Sequence, residues 1–381
     1  MPRLMLITRN FPPLVGGMER LVQNLYLQLQ QHYSIDLIGP KGCSEYCHGN
    51  GEVSETKIRP LFAFLFNSMT RALRLAIRRK PEVILSGSGL TAPAALLAGK
   101  AAGVPVITYL HGLDLVVNNR LYQNFFVPML RRTDRVIVNS HNTARLAEAA
   151  GIASDRIDVI HPGVESVNGT LPESSFRSQF GLNNKKILLS VGRMIPRKGL
   201  AEFIRYSLPG IVSDHPDTVL VVIGDEAIDA LKKDRPSQEQ VRPAVEQAGM
   251  EQHIMLAGRV DDETLHAAYA EADLCIFPLV DIPGDVEGFG MVAIEAAARG
   301  LPTAAFSVGG VVDAIEDRKT GFLIEPGDYN ALTDTCSRYL EGHYPDVTGT
   351  SCRDFAADFH WSRFGEKVRH SIDKVTHLEN T

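Results

Sequence analysis

Two doubly wound α/β domains, each built on a parallel sheet of Rossmann type, are the fold this sequence predicts. Three observations lead there. Short, near-continuously apolar runs rich in β-branched residues alternate with helix-period segments. The alternation recurs in both halves, and 381 residues exceed the usual size of one domain. With 44% apolar residues, each half can bury a core of its own.

The first half carries strand candidates LMLIT (4–8), SIDLIG (34–39), EVILS (82–86), VITYL (106–110), RVIVN (135–139) and DVIHP (158–162). Between the first two lies MERLVQNLYLQLQQ, where Leu21, Val22, Leu25 and Leu29 recur at helical spacing. The second half repeats the plan with KILLSVG (186–192), TVLVVIG (218–224), IMLAG (254–258), LCIFP (274–278), PTAAF (302–306) and GFLIE (321–325). A Pro-, Gly- and Ser-rich stretch at 161–175 reads as the linker. The expected division is an N-terminal domain 1–165, a C-terminal domain 166–354, and a segment 355–381 whose helix, around 363–373, packs back across the junction. Only the last few residues read as a tail.

Charge is unevenly shared. Residues 1–165 carry 18 Lys and Arg against 12 Asp and Glu, and the remainder carries 21 against 33, within an overall net charge of −6. A basic first half suits an anionic partner, with drift of surface charge as the alternative. Nothing points to nucleic acid. The five cysteines, an odd number in a long chain, read as ordinary thiols, and CSEYCH has no second Cys/His pair to complete a zinc site. The apolar run near the N-terminus is too short for a secretory signal, and no stretch approaches the ~18–20 residues of a membrane span. The expected location is therefore the cytoplasm.

Open parallel sheets bind ligands beyond the carboxyl ends of their strands, so chemistry is sought there. Gly16 and Gly17 follow the first strand and precede a helix, where backbone N–H groups can approach a phosphate; a plain turn explains the pair as well. This is not G-x-G-x-x-G, so the dinucleotide fingerprint is absent. HGLD follows the fourth run and presents His111 and Asp114, with a packed His and a capping Asp as the alternative. GRMIPRKG frames a loop with Arg193 and Lys198, two cations suited to a diphosphate whose charge grows as a phosphate leaves. Gly258, Arg259 and Val260 end another strand and could read a nucleobase edge.

EGFGMVAIEA is the most informative stretch. Gly288 and Gly290 flank Phe289 in a sharp turn, and a helix starting near Met291 and Val292 runs to Arg299, stopped by Gly300 and Pro302. Its first-turn N–H groups can hold a phosphate. Glu287 precedes the turn and Glu295 lies about one helical turn in, each able to accept hydrogen bonds from paired sugar hydroxyls. Ringed by Ala293, Ile294, Ala296, Ala297 and Ala298, Glu295 needs a partner if buried.

Together the GG loop at 16–17, HGLD at 111–114, GRMIPRKG at 192–199 and the E-x7-E element from Glu287 to Glu295 resemble the retaining GT-B glycosyltransferases of family 4, over nearly the whole chain. The resemblance implies two Rossmann-like domains facing across a cleft. It implies that Glu287 contacts donor-sugar hydroxyls, Glu295 the ribose, and Arg193 and Lys198 the diphosphate. Backbone near Gly17, Phe289, Gly290 and Met291 would complete that clamp, and His111 would lie beside the transferred sugar. It implies no cofactor and no catalytic metal, in keeping with the lack of a D-x-D motif. The likeness is greatest to bacterial mannosyl- and D-rhamnosyltransferases of surface-polysaccharide (O-antigen) assembly. That implies a GDP-sugar donor and a polyprenyl-diphosphate-linked glycan acceptor, with a UDP-sugar or a soluble acceptor as alternatives. Nucleotide-sugar 2-epimerases share the architecture, but E-x7-E with the Arg/Lys loop argues against them. The same residues argue against a binding module without turnover.

One further stretch, LFAFLFNSMTRALRLAIRRKP (61–81), reads as a basic amphipathic helix. Phe62, Leu65, Phe66, Met69, Leu73, Ala76 and Ile77 form one face; Arg71, Arg74 and Arg78, joined by Arg79 and Lys80, form another. Such a helix can lie on the anionic inner face of the cytoplasmic membrane. A core-packing helix whose terminal cations offset its dipole is the alternative.

Overall fold

The computed structural model describes residues 1–165, 175–224 and 238–376. Most of the expected linker (166–174 of 161–175) and the end of the expected tail (377–381) lie outside the described residues.

Each apolar run named above forms a strand. The first sheet contains β1 (Arg3–Ile7), β2 (Ser34–Pro40), β3 (Val53–Thr56), β4 (Val83–Ser86), β5 (Val106–Leu110), β6 (Arg135–Val138) and β7 (Ile157–Val159). The second contains β8 (Lys186–Val191), β9 (Thr218–Ile223), β10 (Ile254–Gly258), β11 (Leu274–Phe277), β12 (Thr303–Phe306) and β13 (Gly321–Ile324). The order is β3-β2-β1-β4-β5-β6-β7 in one and β10-β9-β8-β11-β12-β13 in the other, with parallel pairing throughout. These are two Rossmann-like α/β sheets. Central strands such as Leu4–Ile7, Val83–Ser86 and Leu274–Phe277 are buried along their length, as strands covered on both faces must be. The edge strand β3 (VSET) escaped the sequence reading: it is short, polar and mostly half-buried, so no apolar run marks it.

The chain divides into two compact units. The first comprises Met1–Gly163, Pro283–Phe289 and the final helix Trp361–Thr376; the second comprises the described residues of Val164–Ile282 and Gly290–His360. In the first, the helix Gly17–Leu29 buries Leu21, Val22, Leu25 and Leu29 as its spacing requires, with Tyr26 besides. The final helix buries Trp361, Phe364, Val368 and Ile372. Asp158 of β7 fixes it, accepting from Ser371 Oγ at 2.6 Å and Lys374 Nζ at 2.7 Å, while Arg135 of β6 grips the same carboxylate with Nη2 at 2.9 Å.

The helix Leu61–Arg79 corrects the face drawn from its sequence. It packs through Phe64, Ser68, Ala72, Leu75 and Ala76, so Ala76 belongs to the buried side. Phe62, Phe66 and Ile77 stay 75%, 67% and 58% exposed, alongside exposed Arg71, Arg74 and Arg78. Two of these cations have local partners: Arg71 donates to Ser54 Oγ at 2.7 Å, and Arg78 pairs with Glu52.

Candidate active site

In both sheets the strand order reverses beside the first strand of the unit, between β1 and β4 and between β8 and β11. Ligands bind at the carboxyl end of such a reversal. The loops carrying the candidate residues leave the strands at or near these two points.

In the first unit, the loop after β1 leads into the helix Gly17–Leu29, whose N-cap is Gly16 and whose start no side chain caps. Asn10 orders this loop: its N–H donates to Thr8 Oγ1 at 3.0 Å, and its Nδ2 donates to Glu19 Oε1 at 2.7 Å. His111 follows β5 directly and is buried, with Nε2 2.8 Å from the carbonyl of Gly87. A carbonyl only accepts, so Nε2 carries the proton there. Asp114 joins two loops, because its carboxylate accepts the N–H of His111 at 2.9 Å and of Gly89 at 3.1 Å.

Segment 283–289 is pressed against these strand ends. A Cβ on Gly288 would stand 2.3 Å from the His111 carbonyl oxygen and 2.5 Å from Asn139 Nδ2, so only glycine permits this approach. Asn139 is held in turn by Thr143, whose Oγ1 donates to Asn139 Oδ1 at 2.8 Å. Phe289 is buried and stacks on His161, ring centroids 5.4 Å apart and planes 22° apart. Glu287 therefore sits on a segment anchored on both sides of it to the first unit.

Gly290 passes the chain to the second unit and starts the helix Met291–Ala298, again without a side-chain cap. Glu295 on this helix is buried, 8% exposed, and it has the partner its setting demands: Tyr269 Oη donates to Glu295 Oε2 at 3.3 Å. Arg193 is exposed and Lys198 half-buried, and both line one small pocket with Gly192, Val222 and Phe277. Lys198 Nζ stands 4.2 Å above the Phe277 ring. Gly192, Gly224 and Gly258, at the ends of β8, β9 and β10, are drawn together by backbone: Gly224 N–H donates to the Gly258 carbonyl at 2.9 Å, and a Cβ on Gly224 would lie 1.9 Å from the Gly192 oxygen. This places Gly258, with Arg259 and Val260, near the Arg193 loop.

Two family models match the chain in succession. One, described as Glycosyltransferase Family 4, covers residues 15–166, and the other, Glycosyl transferases group 1, covers 173–349. The chain belongs to the family 4 glycosyltransferases. It is a hexosyltransferase of GT-B type. The GDP-mannose-dependent alpha-(1-6)-phosphatidylinositol monomannoside mannosyltransferase of Mycolicibacterium smegmatis is 25% identical over 388 residues, 96% of this chain and 97% of the relative. The D-inositol 3-phosphate glycosyltransferase of the same organism is 30% identical over 309 residues, 77% of this chain and 66% of the relative. Among solved structures, a sucrose-phosphate synthase from Thermosynechococcus elongatus superposes with a TM-score of 0.80 at 20% identity, covering 99% of this chain and 100% of that one. Anabaena HepE in complex with UDP-glucose gives 0.78 at 18%, covering 98% and 99%. At these identities the superpositions speak for the fold.

In this family 4 glycosyltransferase the residues singled out from sequence fall into two groups. Gly16, Gly17, His111, Asp114, Glu287, Gly288 and Phe289 belong to the first unit, and Arg193, Lys198, Gly258, Arg259, Val260, Gly290, Met291, Val292 and Glu295 to the second. The E-x7-E element is thus divided, one glutamate to each unit. Supporting residues escaped the sequence reading. Asn10, Asn139 and His161 follow strands and were within reach of a search of strand ends. Tyr269 and Phe277 carry no local signal, because each acts through a neighbour distant in sequence.

Proposed function

We propose that this enzyme transfers mannose, or a D-rhamnose-like 6-deoxyhexose, from a GDP-sugar to a lipid-linked glycan with retention of anomeric configuration and without a metal ion. The observation that carries the donor assignment is the full-length likeness to GDP-mannose-dependent mannosyltransferases. In this reading Arg193, Lys198, the N–H groups of Gly17 and the start of the helix Met291–Ala298 hold the diphosphate. Glu287 binds sugar hydroxyls, Glu295 the ribose, and Gly258, Arg259 and Val260 the base edge. His111 and Asp114 form the sugar and acceptor side, with Asp114 acting through the two loops it ties. The leaving phosphate oxygen takes the acceptor proton as the acceptor attacks from the same face.

A thermal-shift series with GDP, UDP and ADP, run first without and then with EDTA, tests the donor and the metal-free reading. A ligand that binds only the folded state raises the melting temperature. GDP is expected to produce the largest shift. A shift with UDP alone would move the donor to a UDP-sugar, and loss of every shift on adding EDTA would remove the metal-free reading.

Support for a lipid-linked acceptor comes from the exposed face of the helix Leu61–Arg79, where Phe62, Phe66 and Ile77 adjoin Arg71, Arg74 and Arg78. An apolar stripe beside cations suits an anionic bilayer surface on the cytoplasmic side. The triple variant Arg71→Glu, Arg74→Glu, Arg78→Glu is expected to weaken sedimentation with phosphatidylglycerol vesicles by at least about 100-fold, at roughly 1 kcal/mol per cation. Its melting temperature controls for the lost Glu52 and Ser54 contacts. The 30% likeness to D-inositol 3-phosphate glycosyltransferases favours a second reading, a soluble phosphorylated acceptor, under which the wild-type protein would not bind vesicles at all.

A further inference from the structure

Glu295 does not stand alone on its helix. Tyr269, on the helix Asp262–Glu271, is 1% exposed and sits in the core with Cys275 and Ala296. Its hydroxyl is directed at Glu295 Oε2 at 3.3 Å. Burial, then the Glu295 charge, push the Tyr269 hydroxyl well above its ordinary pKa, so it stays protonated and able to donate. The arrangement is braced from the third side. The Arg299 guanidinium lies 5.6 Å over the Tyr269 ring, and Arg299 Nη1 donates to the Glu295 carbonyl at 3.3 Å. A buried carboxylate on a flexible stem has several rotamers, and binding a vicinal diol needs one. A fixed donor on one oxygen selects it and lowers the entropy lost on binding.

We infer that Tyr269 is a positioning residue that fixes the Glu295 carboxylate for the ribose hydroxyls of the donor, a role that rests on the reading of Glu295 given above. Phenylalanine at 269 keeps the ring, its packing and the Arg299 contact while deleting the donor. The test is isothermal titration of wild type and Tyr269→Phe with GDP and with 2′-deoxy-GDP and 3′-deoxy-GDP, alongside melting curves and donor kinetics. Wild type is expected to prefer GDP over the weaker deoxy analogue by about tenfold, the order expected for one well-placed hydrogen bond to a charged group. Tyr269→Phe should reduce that preference to about threefold or less, raise the donor KM and leave kcat within about twofold. The double variant Tyr269→Phe, Glu295→Gln should lose little more than Glu295→Gln alone.

If wild type discriminates between ribose and deoxyribose and Tyr269→Phe does so equally, the inference fails while Glu295 keeps its role. If wild type shows no discrimination, Glu295 does not bind the ribose and both ideas fall. A drop in kcat and affinity for all three nucleotides alike would show a general structural role and also overturn the positioning one.

Discussion

Lys198→Ala is expected to lower kcat by about 10²–10³-fold, the loss typical when one donor aimed at developing charge is removed. The reaction breaks the bond between the anomeric carbon and a phosphate oxygen, so negative charge grows on the diphosphate as the transition state forms. In the proposed reading Lys198 meets that charge. Its ammonium stands over the Phe277 ring, in a pocket it shares with Gly192 and Arg193 beside the point where strand order reverses. Its contact with the aromatic face helps to hold the cation in place. Lys198→Arg should recover part of the rate, and neither variant should change the melting temperature much, since Lys198 is only half-buried. The same steady-state experiment separates the two glutamates: Glu287→Ala should act mainly on kcat and Glu295→Ala mainly on the donor KM. A Lys198→Ala enzyme with unchanged kcat, or glutamate variants with equal and small effects, would remove the assignments.

The parts legible in the sequence were those written in local pattern. Runs such as TVLVVI and LCIF are buried on both faces, so they announce themselves as central strands, and the glycines of EGFG announce a turn. What sequence could not convey is where a turn packs. Glu287 and Glu295 look like members of one local element, yet Gly288 and Phe289 are held by His111, Asn139 and His161, more than a hundred residues earlier. The need of Glu295 for a partner followed from its alanine-rich surroundings, but its identity, Tyr269, depends on how two helices flank one sheet. Likewise the pattern of 61–79 revealed an amphipathic helix, whose Phe62, Phe66 and Ile77 stay exposed, but assigned Ala76 to that face although it packs inward. Its buried stripe runs through small residues, Ser68, Ala72 and Ala76, which let it approach the neighbouring helix closely, while larger apolar residues remain outside.

Asp158→Asn is expected to destabilise the first unit by about 3 kcal/mol, the lower end for breaking a buried ion pair. For a unit of this size that is a fall of about 6–12 °C in melting temperature. One carboxylate there binds Arg135 from the neighbouring strand and Ser371 and Lys374 from the final helix, and the Arg135 and Asp158 side chains are each 14% exposed. Burial alone would raise the Asp158 pKa, but the hydrogen bonds from Arg135, Lys374 and Ser371 outweigh it and hold the carboxyl well below the usual carboxylate range. A group whose folded pKa is depressed gives stability that is complete above its unfolded value, about 3.9, and is lost as pH falls toward the folded one. The gap between wild type and Asp158→Asn should therefore be constant from about pH 5 to 8 and narrow steadily below about pH 4. Limited proteolysis near Trp361 should report the same change, because Asp158 ties the final helix to β7. A gap that persists undiminished at pH 2 would assign the effect to shape and packing, and the ion pair would then have no part in holding the chain's end against the first sheet.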